Sequence, residues 1–192
     1  PDLLADRANW QVMGADTWRH AHTLETMATR RHSLCLAPGT AAGTHALSST
    51  PKPGVVATQR VDFNDRSDAG WTAPPNVLNP QLDPHAGLVF AGDPLTQDTE
   101  LAGPFDGALD FTVNKRDADI AIGVYELTAE GRYLDLAWWL QRASYGADRR
   151  ERRLLAPGVP HRLAVKDTRL IGRVLAAGSR LVVTAGVSKQ PD

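Results

Sequence analysis

The sequence predicts an all-β protein, a β-sandwich of the jelly-roll type, because apolar residues alternate along several segments that turn residues separate. Strict alternation is present in residues 105–113, 119–127, 133–140 and 181–187. A period of two is typical of a strand with one buried face, as in an antiparallel sheet. The chain also has 16 Gly and 13 Pro, which keep the intervals between breakers short. Short strands joined by tight turns favour a sandwich over an α/β sheet.

The turns that join these strands can be placed from their residue types. Thr128-Ala129-Glu130-Gly131 is predicted to close a hairpin, with Gly131 supplying the left-handed backbone conformation. Pro157-Gly158 and Ala177-Gly178-Ser179 predict two further turns. The sandwich is therefore predicted most directly from about residue 85 onward.

The first third of the chain has a less regular pattern. Residues 7–18 fit either a strand or a short helix, and residues 23–31 have helical spacing of Leu24, Met27 and Ala28. Short strands are predicted at 33–36 and 60–63. Gly, Thr, Ser and Pro dominate residues 39–54, and breakers recur through 64–84, so both stretches are predicted to be loops.

Composition excludes several classes of partner and cofactor. The chain has 192 residues and a formal net charge of −1, which attracts neither nucleic acid nor an anionic membrane. No apolar run approaches the roughly 20 residues of a membrane span. The single cysteine, Cys35, excludes an internal disulfide framework and any multi-Cys zinc site, and its apolar neighbours favour a small buried side chain over a reactive thiol. We predict one domain with no cofactor, no nucleic-acid partner and no membrane span; the compartment is left open.

Motifs for catalysis are missing from the sequence. It has no G-x-S-x-G elbow, no H-E-x-x-H, no phosphate-binding G-x-x-x-x-G-K-[ST] and no G-x-G-x-x-G. Ser144, in Ala-Ser-Tyr-Gly, lacks the leading Gly of a nucleophile elbow. His20 and His22 would point to one side of a strand, as a metal site needs, but no third ligand is evident, so we favour two ordinary polar residues. We predict neither catalytic residues nor a metal site.

Aromatic and arginine residues are the candidates for a binding or interface surface. Trp138 and Trp139 are adjacent, so on a strand one faces the core and the other a partner or a ligand. Trp10, Trp18 and Trp71 could extend an aromatic patch. The candidate arginines are Arg149, Arg150, Arg152 and Arg153. This run could bind a carboxylate, a phosphate or a partner domain, although a solvated loop is the commoner role of such a run.

Several segments together resemble one known family. They are NWQVMGA at 9–15 with WRH at 18–20, PLTQDTELAGP at 94–104, QRASY at 141–145 with LAPG at 155–158, and GSRLVV at 178–183. Their order and spacing resemble the C-terminal jelly-roll domain, similar to galactose-binding folds, of the X-prolyl dipeptidyl-peptidase and cocaine-esterase family of serine hydrolases. The resemblance covers nearly the whole chain.

This resemblance implies an accessory role in a larger enzyme. Residues 1–32 would be a lead-in from the α/β-hydrolase domain and residues 33–192 the jelly roll. The family's Ser–Asp–His triad aligns with no residue here, so we expect a preceding segment to carry it and predict that this chain is not itself an enzyme. We also expect family strands beyond Asp192. Their loss would leave an open sheet edge, which makes a homo-oligomer a further candidate assembly.

Three functions therefore remain to be compared. The first is a non-catalytic domain that packs on the catalytic α/β-hydrolase domain and shapes its cleft. Its interface candidates are Trp10, Trp138, Trp139 and the 149–153 arginines, since aromatics and Arg are enriched at such contacts. The alternative is a stand-alone carbohydrate- or ligand-binding sandwich, suggested only by fold analogy. The last is a metal-dependent enzyme using His20 and His22.

Overall fold

The structure, a computed structural model, describes residues 4–39, 45–67, 76–83 and 85–189. Its strands are β1 (Ala8–Val12), β2 (Thr17–Ala21), β3 (Cys35–Ala37), β4 (His45–Ser48), β5 (Leu88–Ala91), β6 (Thr99–Pro104), β7 (Gly107–Thr112), β8 (Asp119–Leu127), β9 (Tyr133–Arg142), β10 (Pro160–Val165), β11 (Leu170–Leu175) and β12 (Arg180–Val187). Two 3-10 helices, Leu24–Thr26 and Ala143–Tyr145, are the helical elements of the described residues. Neither is long and apolar enough to cross a bilayer.

One layer of the sandwich is a six-stranded sheet with the order β3-β4-β5-β12-β8-β9. Every neighbouring pair is antiparallel except β4 and β5, which are parallel. β8 lies between β12 and β9, and the β8–β9 hairpin is closed by Gly131 with φ of 77°, as its residue type predicts. A register shift between Val124 and Tyr125 makes a bulge in this hairpin.

The facing layer consists of two antiparallel strand pairs that follow one another, which we call the ribbon. β7 pairs with β10 and β6 pairs with β11, both antiparallel. Because β6 leads into β7 and β10 leads into β11, the two pairs form one bent ribbon. The bend falls at residues 105–106 on one side and 166–169 on the other, where the pairing register shifts.

The core lies between these two layers. Inward side chains of β8, such as Ile120 and Ile122, pack with Trp139 of β9 and with Leu163 and Val165 of β10. A second cluster joins Val124 and Ala137 to Ile171 of β11. The alternation that predicts a strand at 119–127 is the burial pattern of β8. In β9 the same interpretation is wrong on the sides, because the bulge shifts the alternation, so that Trp138 and Leu140 face outward and Trp139 faces the core. The all-β sandwich fold is confirmed.

The N-terminal segment packs on the ribbon. β1 and β2 form a hairpin whose end runs beside β11, with Met13 N donating to Gly172 O at 2.8 Å and Val174 N donating to Met13 O at 2.9 Å. Val12 is 0% exposed. The strand alternative for residues 7–18 is the one observed; the boundary between a lead-in at 1–32 and the rest stays a prediction.

Local expectations in the first third are partly wrong. The helical spacing of 23–31 yields only the 3-10 turn Leu24–Thr26: Met27 is buried, but Leu24 is 47% exposed, and a segment this short does not sustain an α-helix. Residues 60–63 form no strand, and the loop predicted for 39–54 contains β4. β4 becomes a strand because it pairs with β5, which is distant in sequence, whereas residues 60–63 pair with no strand among the described residues.

Candidate functional site

The two adjacent tryptophans of β9 lie on opposite sides of the sheet. Trp139 points inward, is 6% exposed, and its Nε1 donates to Lys166 O at 2.9 Å. Trp138 points outward and is 47% exposed. Leu140, two residues further on the same side, is 44% exposed. Strand alternation thus accounts for one core tryptophan and one surface tryptophan.

The chain at 166–169, which we call the strap, passes around the edge of β9. Its first residue accepts the hydrogen bond of Trp139 on the inner side, and its last, Arg169, places its Cζ 4.6 Å from the ring centroid of Trp138 on the outer side. Asp167 takes a left-handed conformation with φ of 54°, and Thr168 Oγ1 donates to Phe105 O. These contacts fix the strap, so the guanidinium of Arg169 is held over the indole.

Two ionisable side chains lie beside this pair. Partial burial raises the pKa of Asp135, although the charge of Arg169 lowers it in part. Burial also raises the pKa of Tyr125, with a further contribution from the charge of Asp135, while a hydrogen bond with Thr184 acts in the opposite direction. Both groups belong to neighbouring positions of β8 and β9. The outer side of this hairpin therefore carries a carboxylate that is incompletely solvated.

The arginine run is largely paired within the domain. Arg149 Nη2 lies 3.1 Å from Asp167 Oδ2, Arg152 Nη2 lies 2.9 Å from Asp117 Oδ2, and Arg153 Nη2 lies 2.6 Å from Glu151 Oε2. The guanidinium of Arg150 has no hydrogen bond or ion pair within the described residues.

Asp117 organises the loop that carries these arginines. Its carboxylate accepts Ser144 Oγ at 2.7 Å, Ser144 N at 3.0 Å and Ala118 N at 3.0 Å, in addition to Arg152. Burial acts to raise the pKa of Asp117, but these hydrogen bonds outweigh it and the pKa is lowered. Ser144 is 1% exposed and its hydroxyl is bound to a carboxylate. Its role here is to anchor a loop.

A small cleft opens beside this loop. It has a volume of about 220 Å³ and is lined by Phe111, Leu155, Arg153, His161 and Arg162 among others. The two arginines at its rim are already paired, Arg153 with Glu151 and Arg162 with Asp110. His161 bonds Ala156 O at 3.0 Å. The cleft leaves no unpaired charge to recognise a ligand.

The remaining candidates lie at the N terminus. Trp10 packs against β11, where a Cβ on Gly172 would lie 2.9 Å from Trp10 Cδ1, and its shielded Nε1 has no partner within the described residues. Trp18 is 37% exposed on the outer side of the hairpin. Trp71 lies outside the described residues.

The histidine pair does not form a ligand set. His20 Nδ1 bonds Asn9 Oδ1 at 2.6 Å, and His22 Nδ1 lies 3.4 Å from Asp6 Oδ1. In the part of the chain that the structure describes, no three His, Cys, Asp or Glu side chains are grouped to hold a metal ion.

The structure thus brings together only part of the predicted set. Arg149 binds the strap that covers Trp138, whereas Trp10, Trp139, Arg152 and Arg153 contact the domain itself. Arg169 and Asp135 were missed. No local pattern marks them, because only the path of the strap around β9 places Arg169 beside Trp138.

Three solved hydrolase structures contain a part with the same fold as this chain. An aminopeptidase from a marine sediment archaeon of the Thaumarchaeota superposes with a TM-score of 0.69 at 17% identity over 100% of this chain. An α-amino acid ester hydrolase gives 0.65 at 18% identity over 92%. A CocE/NonD family hydrolase from Staphylococcus aureus gives 0.62 at 14% identity over 92%. The chain spans about a third of their length, 34%, 32% and 32% respectively.

The sequence itself identifies the family. The model of the X-Pro dipeptidyl-peptidase C-terminal non-catalytic domain matches residues 5–186. The chain belongs to this family. No curated protein matches it in sequence.

Proposed function

We propose that the chain is the accessory domain of a serine hydrolase of the X-Pro dipeptidyl-peptidase and acyl esterase type, where it packs on the α/β-hydrolase domain and helps to shape the substrate cleft. The family match over residues 5–186 carries this proposal. The structural neighbours add support, because in each of them the matching part is about a third of a hydrolase chain.

The chemistry in this proposal belongs to the other domain. A Ser–His–Asp triad there would form an acyl-enzyme, and an oxyanion hole would stabilise the tetrahedral intermediate. The serine that is nearest to a nucleophile motif in this chain, Ser144, is buried and bound to Asp117, so it has no role in that mechanism. This chain would contribute a surface that contacts and supports the α/β-hydrolase domain.

Hydrolysis assays test whether the catalytic activity resides in the other domain of the parent protein and not in this chain. We expect the chain 1–192 to hydrolyse neither a p-nitrophenyl ester nor an X-Pro p-nitroanilide, and the longer parent protein to hydrolyse at least one of them. Ser144→Ala in the parent should leave kcat unchanged. Turnover by the chain alone that Ser144→Ala abolishes would overturn the proposal, as would a parent without hydrolase activity.

The carbohydrate-binding alternative has one observation in its favour, the 47% exposure of Trp138. A sugar stacks on an open ring face, yet Arg169 already covers this indole at 4.6 Å. Titrating the chain with a panel of oligosaccharides, followed by tryptophan fluorescence, separates the two functions. A saturable shift that grows in Arg169→Ala and is lost in Trp138→Ala would establish sugar binding.

A further inference from the structure

The outer side of β9 carries a compact surface that the domain does not use for itself. It consists of Trp138 and Leu140, the Arg169 side chain over the indole, and Asp135 on the same strand; we call it the β9 patch. Its two apolar members are 47% and 44% exposed and stand next to each other along one side of the strand. Exposed apolar residues are ordinary singly, but an exposed Trp with an adjacent Leu is typical of a contact surface.

Arg169 gives this patch a guanidinium that no hydrogen bond or ion pair engages in the part of the chain that the structure describes. In contrast, ten ion pairs are formed there between other side chains. Asp135 is close enough to be affected by its charge but is not bonded to it. Stacking on Trp138 covers one face of the guanidinium and leaves its N–H edge available, and that edge matches the two oxygens of a carboxylate.

The strap holds Arg169 in place before any partner arrives. Three contacts hold the strap. Lys166 O accepts a hydrogen bond from Trp139 Nε1, and Thr168 Oγ1 donates one to Phe105 O. Asp167 forms an ion pair with Arg149. A side chain that is already ordered loses less entropy on binding, so its contacts add more to affinity. Trp and Arg are also the residue types that most often dominate interface energies.

We infer that the β9 patch is the surface by which this domain docks on the hydrolase domain of its parent chain, through an acidic side chain that binds Arg169 and an apolar side chain that packs on Trp138 and Leu140. This inference rests on the proposed function and names its contact. The occupant follows from charge complementarity: Asp135 lies near this cation without bonding to it, so the guanidinium keeps its donors for the carboxylate of an Asp or Glu on the partner domain.

Hydroxyl-radical footprinting, with oxidation located by tandem mass spectrometry, tests this in the longer parent protein and in the chain 1–192. Trp138 is 47% exposed and Trp139 6%, so burial of Trp138 to the level of its neighbour would slow its oxidation roughly eightfold in the parent. Trp139 should be slow in both proteins. Arg169→Glu should remove the protection of Trp138 in the parent, and Arg150→Glu, at an exposed arginine that also has no ion pair, should leave it intact.

Each other outcome contradicts the inference in a recognisable way. If Trp138 stays reactive in the parent while another surface is protected, the domain docks but the β9 patch is not its contact. If no surface is protected, docking itself fails, and the proposed function with it. If Trp138 is protected in concentrated chain 1–192 and becomes reactive when this protein is diluted, a second copy of the chain occupies the β9 patch, and the inference is wrong. Urea unfolding of Arg169→Glu in the chain 1–192 checks that the variant is folded; in a folded variant, retained protection also overturns the inference.

Discussion

Glu126 shows how a single charged residue is accommodated between the two layers. Its side chain is 1% exposed, on the inner side of β8. Arg173 Nε donates to Oε2 at 2.8 Å from β11, and Ser179 Oγ donates to Oε1 at 3.0 Å. Both carboxylate oxygens thus have partners, which burial of a charge requires. The network ties the six-stranded sheet to the ribbon at the end where hydrophobic contacts are fewer.

Removing this carboxylate should destabilise the domain strongly. Glu126→Ala leaves the guanidinium of Arg173, 20% exposed, without its partner, so we expect a loss of about 3 kcal/mol in the free energy of unfolding. Glu151→Ala removes an ion pair at the exposed arginine run and serves as the matched control, with no measurable change expected. Urea denaturation of both variants provides the test. Equal stabilities of the two would show that Glu126 has no special role.

Acid stability should depend on Asp117. Its pKa is lowered in the folded protein, so its contribution is present above the unfolded value of about 4 and is lost as the pH falls through the lower folded value. Asp117→Asn should therefore be less stable than the wild type at pH 7, and the difference should shrink below about pH 4. Asp106→Asn, in a more exposed pair with Arg31, is the control. A difference that is independent of pH would contradict the lowered pKa.

At the scale of elements, the strands that were predicted are those with long internal alternation. β8 and β12 turn the apolar side that their alternation predicts toward the core, where Ile122 and Ala185 are buried, whereas the bulge in β9 turns Trp138 outward. β4 and β5 have four residues each, too few to show a period, and they exist because β5 pairs with β12 and β4 with β5. The paired residues are 45 positions apart for β4 with β5 and about 90 to 100 for β5 with β12, which no local window contains.

Gly87, which precedes β5, lies close to the backbone of β12, and this close contact provides a test of the pairing. A Cβ on Gly87, with φ of 97°, would lie 2.6 Å from Ala185 O and 2.8 Å from Gly186 Cα. Gly54 has a similar φ of 77° with nothing within 4 Å, so Gly54→Ala measures the backbone cost alone. We expect Gly87→Ala to be less stable than Gly54→Ala by about 2 kcal/mol, measured by urea unfolding. Similar losses in both would mean that β5 and its lead-in can move away from β12 at little cost.

The candidate site shows the same limit of sequence reasoning. Adjacent Trp138 and Trp139 predict one exposed ring whatever the fold, because any strand alternates its sides. Arg169 could not be predicted, since it lies in a turn between β10 and β11 and reaches Trp138 only because the ribbon bends at the strap. The arginine run at 149–153 was conspicuous in sequence, yet most of it is neutralised by nearby carboxylates.

At the scale of the whole molecule, ten ion pairs among the described residues join side chains of this domain to one another, while Trp138 stays 47% exposed. Ion pairs join the loops at 149–153, 117 and 167 to one another, and the edge strand β9 is crossed by the strap. Under the docking that we propose, the exposed Trp138, Leu140 and Arg169 are the contact residues.

The most direct measurement of this central claim is the intact mass of the native protein together with the reading frame of its gene. We predict a mass about three times the 20.8 kDa of this chain, since the chain spans 34% of the aminopeptidase that it matches, and a G-x-S-x-G elbow upstream of Pro1 in the same frame. A native protein of about 20.8 kDa, with no elbow in frame, would contradict the account and make ligand screening of a stand-alone sandwich the next step.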